Sequence, residues 1–490
     1  PGPGRPRPGP AAAPTRHRGG GRGRVPARAK RRSNQPVRQQ SRAAAAQCSG
    51  FRRGAGTGPA GRTRFRNRPG RAPSSPRARA GYGARPSPAA TRPLDLISLP
   101  FALFLGLALA LTRLPLGERA RRLVLLAFNL AFLASFHPLA PLFFLATSLL
   151  AWFAASQGQR GGGSLLFYAL LAPLLLPLFV PKLGLFAGAA EADAAGNVLG
   201  SRMALFVGAS YFTLRALHFA LDARRRRQLP LSFADYLTWN SFFPTLTAGP
   251  IERAEHLGQS LGRLGRADRQ DFAAGLARIY LGLLKKVVLG QLLVAWAGPI
   301  TGFAAGEELG FRQAWGALYA MCLFAYVDFA GYSDLAVGMA RLFGLRLAEN
   351  FDNPYLRGNI SDFWKGWHIS LSTWIRDYLF LPLCGRSQSA LRPHLAALVS
   401  MSLCGLWHAP TLAWLLWGLA HGAGLSAHQA WMHFLRKRFK LKKRLSKSLP
   451  YRVLATAVTF HFVALTWVLI SVPGGDLRLA LAYFAELFGG

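Results

Sequence analysis

The stretch LATAVTFHFVALTWVLISV, at residues 454–472, decides the class of fold because it contains no Lys, Arg, Asp or Glu. About 20 apolar residues suffice for a helix to cross the ~30 Å hydrocarbon core of a bilayer. Comparable apolar runs occur at Leu94–Leu111, Leu123–Phe136, Leu142–Ala154, Leu165–Phe186, Met203–Leu221, Phe272–Val294, Ala314–Phe343, Leu391–Leu406, Thr411–Trp431 and Leu479–Phe488. The sequence therefore predicts an all-α, multi-pass integral membrane protein. We expect about ten transmembrane helices, with a few re-entrant or interfacial segments.

The first 92 residues differ sharply in composition from the rest of the chain. They hold 23 Lys and Arg, no Asp or Glu, and abundant Pro and Gly. So little apolar surface cannot offset the entropy of ordering, and we predict a disordered extension over 1–92 and a membrane domain over 93–490. Two interpretations stay open: a misassigned start, or an arm that binds anionic lipid or nucleic acid by counterion release. Charge alone supports the arm, so we expect no nucleic-acid partner.

Basic clusters in the short loops predict the orientation in the membrane. Lys and Arg are enriched in cytoplasmic loops. The clusters at residues 119–122, 224–227 and 436–447 are therefore assigned to the cytoplasmic side. The four cysteines, which lack CxxC spacing, are expected to be small buried residues and not metal ligands.

Three stretches do not fit simple membrane spans. Residues 242–250 carry two prolines and a glycine within apolar sequence, residues 326–334 include Asp328 and Asp334, and residues 353–383 are rich in Trp, Tyr, Arg and Asp. Irregular backbone persists at membrane depth only where protein buries it or a wet cavity is lined by it. We therefore expect these stretches to lie inside the protein.

Ionisable side chains at membrane depth are costly, and they usually face a cavity, a pathway or one another. This rule selects a short set of candidates: Asp328, Asp334, Lys365, His368, Arg376, Asp377, His408 and His421. His408, in GLWHAPT at 405–411, could act as a general base, since imidazole titrates near neutrality. The alternative is a buried histidine bonded to a backbone carbonyl. His421 is interpreted as a packing histidine.

His368 lies in DFWKGWHISLSTWIRDY at residues 362–378. If this segment is one helix, Trp364, His368 and Ser372 share a face. The alternative is an interfacial aromatic belt. No phosphate-binding glycine loop, paired metal ligands or nucleophile elbow is visible, so we expect neither a metal nor a bound cofactor. These residues alone do not name a reaction.

Several motifs in a fixed order resemble the membrane-bound O-acyltransferase family in its bacterial branch. They are FPT at 243–245, AGPI at 248–251, DFAGYSD at 328–334, NFDNPY at 350–355, DFWKGWHISLS at 362–372 with RDY at 376–378, GLWH at 405–408, WG at 417–418 and HG at 421–422. The resemblance covers about residues 95–490. Within the branch it is strongest to the alginate-type polysaccharide O-acetylases, with the teichoic-acid D-alanyl transfer proteins next.

The resemblance implies a ring of helices around a tunnel that joins a cytoplasmic acyl thioester, acetyl-CoA or carrier-bound, to an acceptor outside. It places the catalytic histidine at His408 and a second functional histidine at His368. Residues that would contact substrate along the tunnel are Trp367, Ser372, Arg376, Asp377 and Trp407. It also implies the cytoplasmic membrane of a bacterium, a lipid environment, a polysaccharide acceptor and a periplasmic acyltransferase partner.

The chain departs from the family pattern at several positions. Gly366 replaces a usual basic residue, Ala409-Pro410 replace a usual glycine, and residues 468–473 lack an aromatic-Arg-Ala ending. We also expect the last helices of the branch to be missing after Gly490. A glycan transporter without chemistry stays open as an alternative, because broken helices and polar groups at depth fit that class too.

Overall fold

The computed structural model describes residues 96–179, 182, 206, 208–226, 229, 231–385, 389–438, 445, 448–472 and 475–489. Within these ranges every regular element is a helix, as the apolar periodicity predicts. The predicted disordered extension over 1–92 lies outside the described residues.

The N-terminal half of the described chain is a series of long and short helices. They are α1 (Leu99–Arg113), α2 (Glu118–Phe136), α3 (Ala140–Gln159), α4 (Ser164–Leu171), α5 (Leu176–Phe179), α6 (Ala209–Arg226), α7 (Phe233–Asn240), α8 (Phe243–Leu246) and α9 (Ala254–Ser260). Side-chain caps set some of the starts: Ser98 Oγ accepts a hydrogen bond from Phe101 N–H, and Ser232 Oγ from Asp235 N–H.

The C-terminal half continues the helical pattern and contains two π-helical turns, at Leu284–Leu289 and Arg376–Phe380. Its helices are α10 (Arg269–Leu283), α11 (Gly290–Ala297), α12 (Pro299–Ala304), α13 (Phe311–Leu342), α14 (Ile360–Gly366), α15 (Ile369–Ile375), α16 (Leu381–Cys384), α17 (Arg392–His408), α18 (Leu412–Lys437), α19 (Leu449–Ser471) and α20 (Leu477–Leu487).

Four helical segments in the described chain are long and apolar enough to cross a membrane. They are Ala140–Gln159, Arg269–Ala304, Phe311–Leu342 and Leu449–Ser471, and Leu99–Arg113 and Ser164–Phe179 are shorter apolar helices. Many large apolar side chains face outward, such as Leu165 at 86% exposed and Trp296 at 74%. Such a surface suits lipid and not water. The number of about ten crossings stays a prediction.

Helices α10 and α13 pack closely through two pairs of glycines. A Cβ on Gly282 would lie 2.7 Å from Gly331 O, and a Cβ on Gly338 would lie 2.7 Å from Gly275 O. The glycines are seven residues apart on each helix, so they recur on one face. Small residues let backbones approach where lipid gives helices no hydrophobic drive to associate. These four positions therefore fix the register of the two helices.

The two aspartates predicted at membrane depth on α13 are paired with cations. Asp334 accepts from Lys285 Nζ at 2.6 Å and from Arg278 Nη2 at 2.6 Å, and Asp328 accepts from Lys286. All three cations lie on α10 or on the π-helical turn that follows it. These contacts favour the interpretation that the carboxylates join neighbouring helices.

The broken segment at 242–250 is buried within protein, as expected. Its only regular element is the four-residue α8, whose residues are all buried. Asn129 Oδ1 accepts from Phe243 N–H at 3.1 Å, and Arg215 Nη1 donates to Thr245 Oγ1 at 3.0 Å. Buried side chains from α2 and α6 thus satisfy polar groups that an irregular backbone leaves free. Cys322 and Cys404 are buried as expected, whereas Cys384 is only half-buried and Cys48 lies outside the described residues.

Candidate active site

The helix expected across residues 362–378 is interrupted at His368, so the shared face of Trp364, His368 and Ser372 was a wrong prediction. Helix α14 ends at Gly366, and His368 adopts left-handed backbone angles, φ 42° and ψ 56°. The break is caused by a distant segment, because Ile369 N–H donates to Asn350 O at 2.9 Å. Such bonds replace the helical ones that the local sequence favours.

Gly366 has a structural reason in this chain. Its carbonyl accepts a hydrogen bond from Asp352 N–H at 2.9 Å, and a Cβ at position 366 would lie 2.5 Å from Asp352 O. The close approach of two backbones leaves no room for a side chain. The departure from the family pattern therefore coincides with the contact that ends α14.

His368 is 2% exposed and is held on one side of its ring only. Its Nδ1 lies 3.2 Å from Asn350 Oδ1, and its ring packs edge-on against Phe329 at 4.7 Å between centroids. Its Nε2 is buried and has no hydrogen-bond partner among the described residues. Sequence reasoning did not select Asn350 as a site residue, although it begins the NFDNPY motif.

His408 is the last residue of α17. Ala409 is extended, with φ −154° and ψ 139°, as the restriction on residues before proline predicts. The imidazole stacks on Trp414 at 4.7 Å and 18° between planes, and it meets the edge of Trp417 at 6.0 Å. It is half-buried, and within the described chain no hydrogen bond occupies its ring nitrogens. The ring is therefore positioned by packing, with its nitrogens open to a substrate.

His421 has the contacts expected of a packing histidine. Trp364 Nε1–H donates to its Nδ1 at 3.2 Å, so the ring proton is on Nε2, which lies 3.0 Å from Thr466 Oγ1. Both ring nitrogens are occupied. This imidazole connects α14, α18 and α19.

The two candidate catalytic histidines belong to one aromatic site. From His408 the rings continue through Trp417 and His421 to Phe363 and Trp367, with successive centroids 4.5 to 6.3 Å apart. Trp367 directly precedes His368. The two imidazoles also lie within range of a direct electrostatic interaction.

Lys182 is a further residue of this site that sequence reasoning missed. Its ammonium donates to the backbone carbonyl of Trp407 and lies 5.0 Å from the centroid of the Trp407 indole ring. Trp407 also packs against Tyr211, at 6.1 Å. A lysine inside the apolar run 165–186 carried the same signal, a charge at depth, that selected the other candidates.

A cavity of about 480 Å³ lies between α14, α15, α17 and α18. Its lining includes Ser372 and Arg376, two of the predicted tunnel residues, together with Lys365 and Arg436. Trp367, Asp377 and Trp407 are not part of this lining. Trp367 packs among aromatic rings, and Asp377 forms ion pairs with Arg253 at 2.9 Å and Arg376 at 2.8 Å.

Two of the predicted cytoplasmic clusters meet at the mouth of this cavity. Arg225 of the 224–227 cluster donates to Asp377 O at 3.4 Å, next to Arg376, which shares the cavity with Arg436 of the 436–447 cluster. The cavity thus lies at the basic end of the helices. The assignment of this end to the cytoplasm stays a prediction.

Comparison with known proteins identifies the class to which this fold and site belong. The model of the membrane-bound O-acyltransferase family matches residues 123–471, and the chain belongs to that family. The motifs quoted above from positions 243 to 422 all fall inside this match.

Individual relatives carry related names. The chain is 32% identical over 308 residues to a peptidoglycan O-acetyltransferase of Helicobacter pylori, covering 57% of this chain and 56% of the relative. It is 31% identical over 294 residues to a probable alginate O-acetylase of Pseudomonas aeruginosa, covering 58% and 51%. It is 27% identical over 329 residues to a teichoic acid D-alanyltransferase of Bacillus subtilis, covering 64% and 79%. The chain thus spans about half the length of the two acetyltransferase relatives.

Proposed function

We propose that this protein is an O-acyltransferase of a bacterial cytoplasmic membrane. It would move an acyl group, in the first place acetyl, from a cytoplasmic thioester to hydroxyls of an extracytoplasmic polysaccharide, directly or through a periplasmic partner. The carrying observation is His408, which presents open ring nitrogens in the aromatic site that also holds His368. About ten crossings around a tunnel would connect the two sides.

The reaction requires one base that gives back its proton. His408 accepts the hydroxyl proton while the acceptor oxygen attacks the thioester carbonyl carbon. The carbon–sulfur bond then breaks, and the imidazolium returns the proton to the leaving thiolate. His368 forms a hydrogen bond to the acceptor or to the developing oxyanion. Binding both substrates in one site supplies much of the rate through positioning.

The cavity at the basic end suits a thioester donor. Lys365, Arg376 and Arg436 supply three cations to its lining, and phosphate groups are the common anions of thioester carriers. The Ser372 hydroxyl lies in the same lining, where it can bind a polar part of the carrier. The tryptophans around His408 exclude water, which would otherwise hydrolyse the thioester.

D-Alanyl transfer to a teichoic acid is the second candidate function. It is favoured by the Bacillus subtilis relative, of which the chain covers 79%. The donors separate the two reactions in the same membranes. Transfer of label from acetyl-CoA supports acetylation, and transfer only from a D-alanyl carrier protein supports the second candidate.

The test of the proposed function is His408→Ala together with His408→Gln. Membranes that contain each variant are supplied with labelled acetyl-CoA and polysaccharide acceptor, and His433→Ala, at an exposed position of α18, is the matched control. We expect both His408 variants to lose about 10²–10⁴-fold in rate at equal expression. Glutamine keeps a hydrogen bond but takes no proton. Activity within tenfold of wild type in His408→Gln would refute the base, and glycan flux retained without transfer would indicate a transporter.

A further inference from the structure

The side chain of Asn350 is a buried hub that joins three parts of the chain. Its Oδ1 lies 3.2 Å from Ser370 N, 2.9 Å from Ser370 Oγ and 3.2 Å from His368 Nδ1. Its Nδ2 donates to Ser333 Oγ on α13 at 3.2 Å. Asn350 is 1% exposed, so water does not take part in this arrangement.

The identities of the donors around Asn350 Oδ1 are fixed by chemistry. The backbone N–H of Ser370 can only donate, so the amide atom that faces it is the oxygen. The Ser370 hydroxyl already accepts from Ile251 N–H at 2.9 Å, which leaves its own hydrogen for Asn350 Oδ1. An amide oxygen cannot donate. His368 Nδ1 therefore carries a hydrogen.

This determines what the opposite nitrogen of the ring can do. A neutral imidazole has one N–H, so with hydrogen on Nδ1 the Nε2 of His368 holds a lone pair. That atom is buried and has no partner among the described residues. Its direction is set by the left-handed backbone at His368 and by the bond from Ile369 N–H to Asn350 O. A buried, fixed and unpaired acceptor is costly unless a ligand completes it.

We propose that Asn350 is a positioning residue that fixes the tautomer of His368, so that His368 Nε2 accepts a hydrogen bond from the hydroxyl of the acyl acceptor. This inference rests on the proposed function, and it selects one of the two roles given there to His368. An oxyanion has no hydrogen to offer, so a lone pair at Nε2 would repel it. His368 therefore orients the acceptor hydroxyl, while His408 removes its proton.

The first test observes the tautomer without any need for activity. Solid-state NMR of the full chain in lipid, labelled at histidine nitrogens, separates Nδ1–H from Nε2–H imidazoles. The chain has 11 histidines, and subtraction of the His368→Gln spectrum assigns the signal of His368. We expect hydrogen on Nδ1. Hydrogen on Nε2 in the wild-type protein would overturn the proposal.

The second test removes the acceptor. In Asn350→Leu we expect the Nδ1–H signal of His368 to be lost or divided between tautomers, and kcat to fall by about 10²-fold or more, since a wrong histidine tautomer costs up to about 10⁴ in a serine protease triad. Asn129→Leu is the matched control: Asn129 is equally buried, and it forms a similar network with Thr238, Ser241 and Phe243. It should lower stability and leave the His368 signal unchanged.

The outcomes separate this proposal from the proposed function. An unchanged His368 tautomer in Asn350→Leu, or the same change in Asn129→Leu, would overturn the role of Asn350. If Asn350→Leu fails to fold, Asn350→Asp retains an acceptor oxygen and should keep hydrogen on Nδ1. Full activity of His408→Gln alongside the expected NMR result would reject the base and leave the tautomer assignment standing.

Discussion

Replacing Gly366 by alanine should destabilise this protein, although the same change usually stabilises a helix. A Cβ at position 366 would lie 2.5 Å from Asp352 O, and such contacts are not found below 3.0 Å. The two backbones must therefore separate by at least about 0.5 Å. That separation strains the hydrogen bond from Asp352 N–H to Gly366 O, and it pulls on the neighbouring bond from Ile369 N–H to Asn350 O.

The magnitude follows from three effects. Overpacking costs about 1–3 kcal/mol, and loss of the backbone hydrogen bond costs about 0.5–1.5 kcal/mol. Helix propensity returns up to about 1 kcal/mol. We expect Gly366→Ala to be less stable than wild type by about 1–3 kcal/mol. Transfer activity should fall more than stability does, because His368 begins the helix that follows the strained contact.

The assay is unfolding of the purified protein in one detergent, with acetyl transfer measured in parallel. Gly316→Ala is the matched control, since position 316 is an exposed helical glycine with no atom within 4 Å of the added Cβ. That variant should be as stable as wild type or slightly more. Gly366→Ala with the stability of Gly316→Ala and full activity would refute the reasoning.

Three further predictions address other parts of the chain. Deletion of residues 1–92 should leave membrane insertion and transfer unchanged at equal expression, because that composition cannot build a core; loss of either would contradict it. A Ser446→Cys variant that lacks the native cysteines should react with an impermeant maleimide only after the membrane is opened, and labelling in intact cells would reverse the orientation. Asp334→Asn should cost about 3–5 kcal/mol, since it leaves two cations without their buried carboxylate. Adding Lys285→Met should restore part of that stability, and no recovery would argue against the pairing.

Hydropathy was sufficient to predict the helices because a membrane span needs only a long apolar run. Residues 454–472 and 314–343 both lie in helices, α19 and α13, apart from the final residue of each run. The irregular segment at 242–250 could also be predicted, since prolines and a glycine within apolar sequence oppose a continuous helix. In each case the deciding information lies within the segment itself.

The parts that could not be predicted depend on residues far along the chain. The helix break at His368 is caused by Asn350, 18 positions away, whose carbonyl and side chain take over local hydrogen bonds. Asp334 was found from its depth, but its partner Lys285 is 49 positions away. No local pattern encodes either pairing. The positions of His408 and His368 came from the family resemblance, and their roles stay predictions.

The π-helical turn at Leu284–Leu289 limits where the length of this protein can change. A π-helical turn holds one residue more than the α-helical bonding pattern needs. Deleting one residue there would allow regular α-helical bonding to continue, and it would rotate everything beyond it by about 100°. The glycine contacts before the turn would stay in register, while α11 would turn away from α13, against which it packs. Insertions and deletions in related sequences should therefore avoid this turn and fall in the loop between Ala304 and Phe311, where a change in length does not alter the register.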